Sequence, residues 1–230
     1  MSETGRTRTR HGDARRAELL LQAEALFSER GYADTRMVDI ARAAGVAKGL
    51  VYWYFDSKET LFAEIIRDLH RRLRIVQADA TAKLDDPLAK IYVGGVATIR
   101  FVAENNQLYG LIRHVASEER FEPETARAGQ IHLGDSARVL EEGQRLGLVR
   151  TDDAPLTIAN GNAGVVGQFA AVPRGPEDID AAAHAGARYI IRAVAASAEL
   201  ADEVIATYGR KRRGSRATAA SSRGNGGRGA

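Results

Sequence analysis

Two short helices joined at a glycine, within residues 35–55, constrain the fold of this chain more than any other feature. Over barely two turns the first helix keeps the i, i+3, i+4, i+7 apolar spacing of an amphipathic helix, at Met37, Ile40, Ala41 and Ala44. Gly45 ends it, because glycine adopts the left-handed C-terminal conformation without steric cost. A further helix must begin near Ala47, so the spacing predicts a helix-turn-helix.

The flanking residues also follow helical spacing. Asp13 can cap a first helix that stops at Gly31, and Ser57 can cap a fourth that stays apolar on one face to about Ala80. Further helices are predicted near residues 87–106, 108–119, 123–147, 155–171 and 176–197. Because no segment alternates apolar and polar residues convincingly, we expect an all-α protein with an N-terminal three-helix helix-turn-helix domain and a C-terminal helical bundle.

The charge of the chain is concentrated at its ends. The formal net charge is +3, yet residues 209–230 hold seven basic residues and no acidic one, while residues 13–208 hold 23 basic and 29 acidic residues. The Gly-, Ser- and Arg-rich tail 209–230 and the arm 1–12 are expected to be disordered. A helix-turn-helix domain at 13–60 and a regulatory and dimerisation domain at 61–208 complete the predicted organisation.

The absence of some residue types and segments excludes several classes of protein. With no cysteine, the chain forms no disulfide and no Cys-based zinc site. No run of 18 uncharged apolar residues spans a membrane, and the first twelve residues lack the apolar core of a signal peptide. We therefore expect a cytoplasmic protein with no membrane partner.

The second helix of the pair carries four consecutive aromatic residues, although the whole chain has only 14. A helix cannot bury four adjacent rings, because successive side chains point about 100° apart. Val51 and Phe55 would share the core side. The remaining residues suit DNA, whose major groove admits a helix and whose phosphates accept hydrogen bonds: Lys48, Gly49, Tyr52, Trp53, Tyr54 and Lys58.

Periodicity alone leaves an alternative open. A short amphipathic helix pair with aromatic residues is more often plain core, and isolated lysines are usually solvated. Residues 13–60 are not basic either, with seven basic and eight acidic residues.

A longer pattern favours DNA binding. The stretch GYADTRMVDIARAAGVAKGLVYWYFDSKETLF, residues 31–62, closely resembles the N-terminal domain of the TetR family of bacterial transcriptional regulators. The resemblance implies that Thr35 caps the second helix and contacts phosphate. It also implies that Lys48, Gly49 and Tyr52 approach bases, while Trp53, Tyr54 and Lys58 bind the DNA backbone.

Three positions depart from the family's usual pattern. Ala47 lacks the hydroxyl of the common Ser cap, which is worth about 1 kcal/mol. Leu50 exchanges a hydrogen bond to phosphate for an apolar contact, and Arg36 can supply a phosphate contact in place of a hydroxyl. We expect these departures to change which operator sequence the protein recognises, and not the way in which it binds DNA.

For the rest of the chain, the resemblance implies a domain that binds a small-molecule effector and forms a homodimer. The regulator would then be a repressor on a palindromic operator, released by that effector, although an activator remains an alternative. For the dimer surface we predict small and apolar residues of two late helices: Gly161, Gly164, Gly167, Ile190, Ile191 and Val194. For the ligand pocket we predict polar residues on partly apolar helices: Tyr92, Arg100, Tyr109 and His114.

Two other classes of protein compete with this interpretation. An enzyme or metal protein would need a convergent polar site, but His114 and Glu118 alone make a weak pair of ligands and the other four histidines form no visible cluster. A non-specific nucleic-acid-binding protein would use the basic ends and would not prefer an operator over random DNA. We therefore expect no enzymatic activity, cofactor or metal.

Overall fold

The computed structural model describes residues 3–115, 118, 120–173 and 175–209, and this part is built from α-helices without a β-strand. An isolated bridge between Val149 and Ala195 is the one β-type pairing in these residues. The all-α prediction is confirmed. The helices are α1 Glu3–Asp34, α2 Met37–Ala43, α3 Lys48–Tyr54, α4 Lys58–Thr81, α5 Pro87–Glu104, α6 Asn106–Val115, α7 Glu122–Arg145, α8 Pro155–Ala171, α9 Pro176–Val194 and α10 Ala198–Tyr208.

Helix α1 begins earlier than the sequence indicates. Its backbone is helical from Glu3, within the arm expected to be disordered, because arginine is a good helix former and Gly5 and Gly12 each cost only about 1 kcal/mol. At the other end the helix breaks at Gly31, which has φ 82° and ψ 170°. The predicted tail lies outside the described residues from residue 210 onward.

The turn between α2 and α3 is a Schellman motif. Gly45 has φ 63°, its N–H donates to the Arg42 carbonyl at 3.2 Å, and the Val46 N–H donates to the Ala41 carbonyl at 2.9 Å. Next along the chain, the Ser57 hydroxyl accepts from the Thr60 N–H at 3.1 Å and caps α4 as predicted. The chain therefore changes direction twice within a dozen residues, which sets α3 on the surface.

A first core joins the helix-turn-helix to later parts of the chain. Phe27, Tyr32, Phe62 and Phe121 pack ring against ring, with centroids 5.1–5.5 Å apart. Phe121 comes from the start of α7, and the same core includes buried residues of α6. Apolar packing therefore continues across residue 60, where the sequence suggests a domain boundary, and that boundary stays a prediction.

A second core lies among α5, α8, α9 and α10. Helix α9 packs closely on α5 at Gly186, where an added Cβ would lie 2.5 Å from Ile99 Cδ1. The predicted helix near residues 176–197 corresponds to α9, and the sequence analysis predicted no helix where α10 lies. Ala195 breaks the helix with an extended backbone (ψ 144°), and the Ala196 N–H then donates to the Leu148 carbonyl at 2.9 Å.

Within the residues that the structure describes, none of the helices combines the length and the apolar character needed to cross a bilayer.

Candidate nucleic-acid interface and ligand cavity

Helix α3 separates its aromatic residues as its spacing predicts, except that Tyr54 is half-buried and packs against the first core. Val51 and Phe55 are 0% and 1% exposed and belong to the first core. Tyr52 and Trp53 are 43% and 73% exposed, although large aromatic side chains usually lie largely inside proteins. The helix is therefore anchored by one side and presents exposed rings on the other.

The exposed side of α3 combines a cation, open backbone and aromatic surface. Lys48 is exposed, with Nζ 5.4 Å from the Tyr52 ring centroid, and nothing lies within 4 Å of a Cβ added at Gly49. The rings of Trp53 and Tyr54 meet edge to face at 4.6 Å. Leu50 is half-buried beside them. We call the surface formed by Lys48, Gly49, Leu50, Tyr52 and Trp53 the α3 face.

The N-terminus of α3 carries no side-chain cap. Ala47 occupies the N-cap position in extended conformation, and its methyl group offers no acceptor to the first amides of the helix. The expected loss of the capping hydroxyl is confirmed.

The structure contradicts the role predicted for Thr35. Its side chain is 0% exposed, and its hydroxyl donates to the Gly31 carbonyl at 2.8 Å, so it closes the end of α1 and cannot reach phosphate in this conformation. The N-cap of α2 is Arg36 instead. The physical reason is the break at Gly31, which leaves a carbonyl that the buried hydroxyl satisfies.

Two exposed arginines flank the start of the helix-turn-helix. The Arg36 Nε donates to Asp39 Oδ2 at 3.0 Å, and the Arg42 Nη1 lies 3.4 Å from Asp39 Oδ1. The Arg36 guanidinium thereby lowers the pKa of the Asp39 carboxyl group. Sequence reasoning missed Arg42 as a phosphate-binding candidate, although its i, i+3 spacing from Asp39 was visible.

Lys58 has a structural partner that the sequence did not reveal. Its Nζ donates to the carbonyls of Tyr32 at 2.8 Å and Ala33 at 3.3 Å, and it lies 4.2 Å from the Tyr32 ring centroid. Desolvation by burial lowers the pKa of Lys58. The ammonium therefore stabilises the carbonyl end of α1, where a cation is favoured. If Lys58 also contacts a DNA phosphate, as predicted, the phosphate has to share the ammonium group with these two carbonyls.

A large cavity lies between α4 and the later helices. Its volume is about 640 Å³, within the range of small-molecule sites. Its apolar walls come from five helices: Leu73, Ile91, Val102, Leu140, Val166 and Ile190.

One part of this cavity is polar. Tyr109 Oη, His70 Nδ1 and His132 Nδ1 are all buried and have no hydrogen-bond partner among the described residues. Desolvation lowers the pKa of His70 to about 4 and lowers that of His132, while it raises the pKa of Tyr109. Both imidazoles are therefore neutral at pH 7. The sequence showed no histidine cluster, because α4 and α7 meet only in the folded chain.

The structure places one of the four predicted pocket residues at the cavity. Tyr109 lines it, whereas His114 lies on the exposed side of α6 and is not part of the lining. Tyr92 is 0% exposed and its hydroxyl pairs with His184 Nδ1 at 3.1 Å, and Arg100 pairs with Asp180. Tyr92 and Arg100 do not line this cavity, because α5 turns these polar groups toward α9 instead.

Of the predicted dimer residues, the structure buries some and exposes others. Ile190, Ile191 and Val194 are at most 3% exposed and pack inside the subunit, so they cannot form a dimer surface. Gly161 and Gly164 are exposed, with nothing within 4 Å of an added Cβ, and Gly167 lines the cavity. Helix α9 packs its inner side, which holds these branched residues with Ala183, Gly186 and Ala187, inside the subunit.

Among the described residues, no group of three His, Cys, Asp or Glu side chains is arranged to hold a metal ion.

Comparison with known proteins connects this architecture to a family. The model of the family described as "Bacterial regulatory proteins, tetR family" matches residues 19–65, which hold the second half of α1, all of α2 and α3, and the start of α4. The HTH-type transcriptional repressor KstR2 of Rhodococcus jostii is 38% identical over 114 residues, which are 46% of this chain and 54% of that protein. The chain thus spans about half the length of the curated relatives it matches.

Solved structures extend the likeness beyond the matched segment. A TetR-family transcriptional regulator from Rhodococcus sp. superposes with a TM-score of 0.66 at 19% identity, over 77% of this chain and 98% of that one. RolR, solved in complex with resorcinol, superposes with a TM-score of 0.58 at 22% identity, over 85% of this chain and 95% of that one. These similarities show the fold of the later helices. Together with the match to residues 19–65, they show that the first helices of this chain are similar to the TetR family of bacterial regulatory proteins and that the described chain shares the fold of TetR-family regulators.

Proposed function

We propose that this chain is a cytoplasmic, ligand-responsive repressor that binds a palindromic operator as a homodimer and is released by a small-molecule effector. The observation that carries the proposal is the α3 face. It holds the exposed cation Lys48 and the exposed ring of Trp53 on a helix whose opposite side is fully buried. Such a helix enters the major groove without disturbing the core.

Selection of bound sequences from a random duplex pool tests operator binding directly. We expect the full chain to enrich a palindromic site and to prefer it over random DNA by on the order of 10³ or more. Tyr52→Ala and Lys48→Ala should abolish this preference, whereas Lys83→Ala, an exposed lysine between α4 and α5, is the matched control. If all variants prefer the operator over random DNA equally, the α3 face does not contact the operator.

Trp53 offers a second readout, because it is the single tryptophan of the chain. Operator binding should change its fluorescence, since DNA would cover a side chain that is 73% exposed in the free protein. A saturating operator that leaves the emission unchanged would place Trp53 away from DNA.

A homodimer is supported by the exposed surface of α8 and α9. Leu156, Val172 and Tyr189 are 57%, 70% and 61% exposed, and Gly161 and Gly164 allow a second helix to approach closely. A two-fold symmetric contact through this surface would bring the same patch of each subunit together. Gly164→Arg should yield a monomer in light scattering, and an unchanged mass would assign the dimer to another surface.

Release by an effector is supported by the contacts between the cavity and the DNA-binding helices. Helix α4 lines the cavity with His70 and Leu73, and α7 lines it with His132 while its start carries Phe121 into the first core. Beside Phe121, the Arg120 guanidinium lies 4.9 Å from the Tyr32 ring centroid. A ligand that shifts α4 or α7 would therefore shift contacts of α1.

Arg120→Ala tests this route, because Arg120 is exposed and its loss spares the core. The variant should still bind operator and effector but should lose part of the coupling free energy between them, which is typically about 1–3 kcal/mol. Operator affinities with and without effector give that coupling. If the variant is released as fully as the original chain, the signal does not pass through Arg120.

A further inference from the structure

We propose that the cavity takes an organic carboxylate with an apolar body, and that Arg74, His70, Tyr109 and His132 bind its anionic group. The inference rests on the proposed function only for the identification of this cavity as the effector site. We call these four residues the polar end of the cavity. They come from α4, α6 and α7.

The first argument is the distribution of unsatisfied polar groups. Buried polar atoms normally have a hydrogen-bond partner. Elsewhere along the cavity they do: the Gln77 amide donates to Thr98 Oγ1 at 2.6 Å, and that hydroxyl donates to the Gly94 carbonyl at 2.7 Å. At the polar end three buried groups lack one. A site for a hydrogen-bonding ligand group is thus confined to one end of an apolar cavity.

The second argument concerns the kind of hydrogen bond that these groups make. A phenol and a neutral imidazole can each donate one hydrogen bond, and a rotation of the imidazole about its χ2 angle exchanges its two edges without moving the backbone. The rings of His70 and Tyr109 lie with centroids 6.2 Å apart. Three neighbouring donors suit the oxygens of a carboxylate better than a single hydroxyl group.

The third argument is charge. The cavity lining contains four basic side chains, Arg74, Lys90, Arg113 and Arg138, but the single carboxylate Asp135. Arg138 pairs with Asp135, whereas Arg74, Lys90 and Arg113 form no ion pair within the described residues. An anion would therefore meet uncompensated positive charge. Charge-assisted hydrogen bonds are roughly twice as strong as neutral ones.

The polar end also couples ligand binding to protonation. Burial, and to a lesser extent the nearby Arg74, disfavours protonation of both histidines in the free protein. A bound carboxylate would oppose this effect and favour the imidazolium forms. Binding of the anion would then be accompanied by proton uptake, so its affinity rises as pH falls.

Charged groups surround the two histidines on four packed helices. They are Arg74 on α4, Arg113 on α6, and Asp135 and Arg138 on α7, with Lys90 on α5 at the cavity wall. Asp135 favours protonation of His132, and Arg74 opposes it. Burial, with Arg74, disfavours the charged form of both rings until an anion binds.

Direct calorimetry on the full chain tests the proposal. The probes are 4-phenylbutanoate with its methyl ester and the corresponding alcohol, and 2-naphthylacetate with its methyl ester and alcohol. Each carboxylate should bind at least about tenfold more tightly than its neutral counterparts, with net proton uptake measured in two buffers of different ionisation enthalpy. The esters should show no proton uptake.

Matched variants test whether the polar end causes the preference for carboxylates over esters. His132→Gln and Arg74→Gln should each weaken carboxylate binding about tenfold while leaving ester binding unchanged. His114→Gln, on the exposed side of α6, is the control and should change neither. The proposal is overturned if an ester binds as tightly as its acid, if no carboxylate of the panel binds, or if His114→Gln matches His132→Gln. Carboxylate binding without any effect on operator affinity would instead refute the proposed repressor mechanism.

Discussion

Tyr109→Phe should make the ligand-free protein more stable, which is the reverse of most buried substitutions. The Tyr109 hydroxyl is buried at the cavity without a hydrogen-bond partner. Folding therefore removes this group from water with no compensating bond, a cost of about 1–3 kcal/mol. Because the Tyr109 side chain as a whole is half-buried, we expect the lower end of this energy range. The variant should gain about 1 kcal/mol, or about 2–4 °C in Tm for a chain of this size.

Thermal denaturation followed by circular dichroism measures the shift, and Tyr32→Phe is the matched control. The Tyr32 hydroxyl donates to Glu59 Oε1 at 2.8 Å, so its removal should lower Tm instead. Saturating 4-phenylbutanoate should narrow the gap between Tyr109→Phe and the original chain, because the hydroxyl then has a partner. A Tyr109→Phe variant that melts below the original chain would refute the reasoning.

Three further predictions concern stability and pH. Burial lowers the pKa of His70 to about 4, so the His70 imidazole of the unfolded chain is protonated at a higher pH than that of the folded chain. The folded state therefore loses stability as pH falls from 6.5 toward 4. In urea titrations, His70→Gln should reduce that loss by up to about 1.4 kcal/mol per pH unit. Gly186→Ala should lower Tm because its Cβ would lie 2.5 Å from Ile99 Cδ1, whereas Gly161→Ala, in open space, should not lower monomer stability. Lys58→Met should destabilise the domain by about 1 kcal/mol through the carbonyls it leaves unpaired, and equal urea midpoints would contradict that role.

Local chemistry predicted much of the structure from α2 to the start of α4. The Schellman turn at Gly45, the Ser57 cap and the burial of Val51 and Phe55 all follow from residues within a few positions of one another. Helical spacing and caps act over one or two turns, so a single sequence displays them. The roles of Thr35 and Lys58 could not be predicted in the same way, because their partners are carbonyls at the end of another helix.

The sequence by itself determined that the described part of the chain is helical, where the helix-turn-helix begins and ends, and that Tyr52 and Trp53 of the aromatic run remain outside. Tertiary structure alone decided which polar residues meet. Tyr92 and Arg100 turned toward α9, while His70 and His132, 62 positions apart in the chain, came together at one cavity. The physical reason is that backbone periodicity orients a side chain relative to its own helix, whereas the packing of helices decides what that side chain faces.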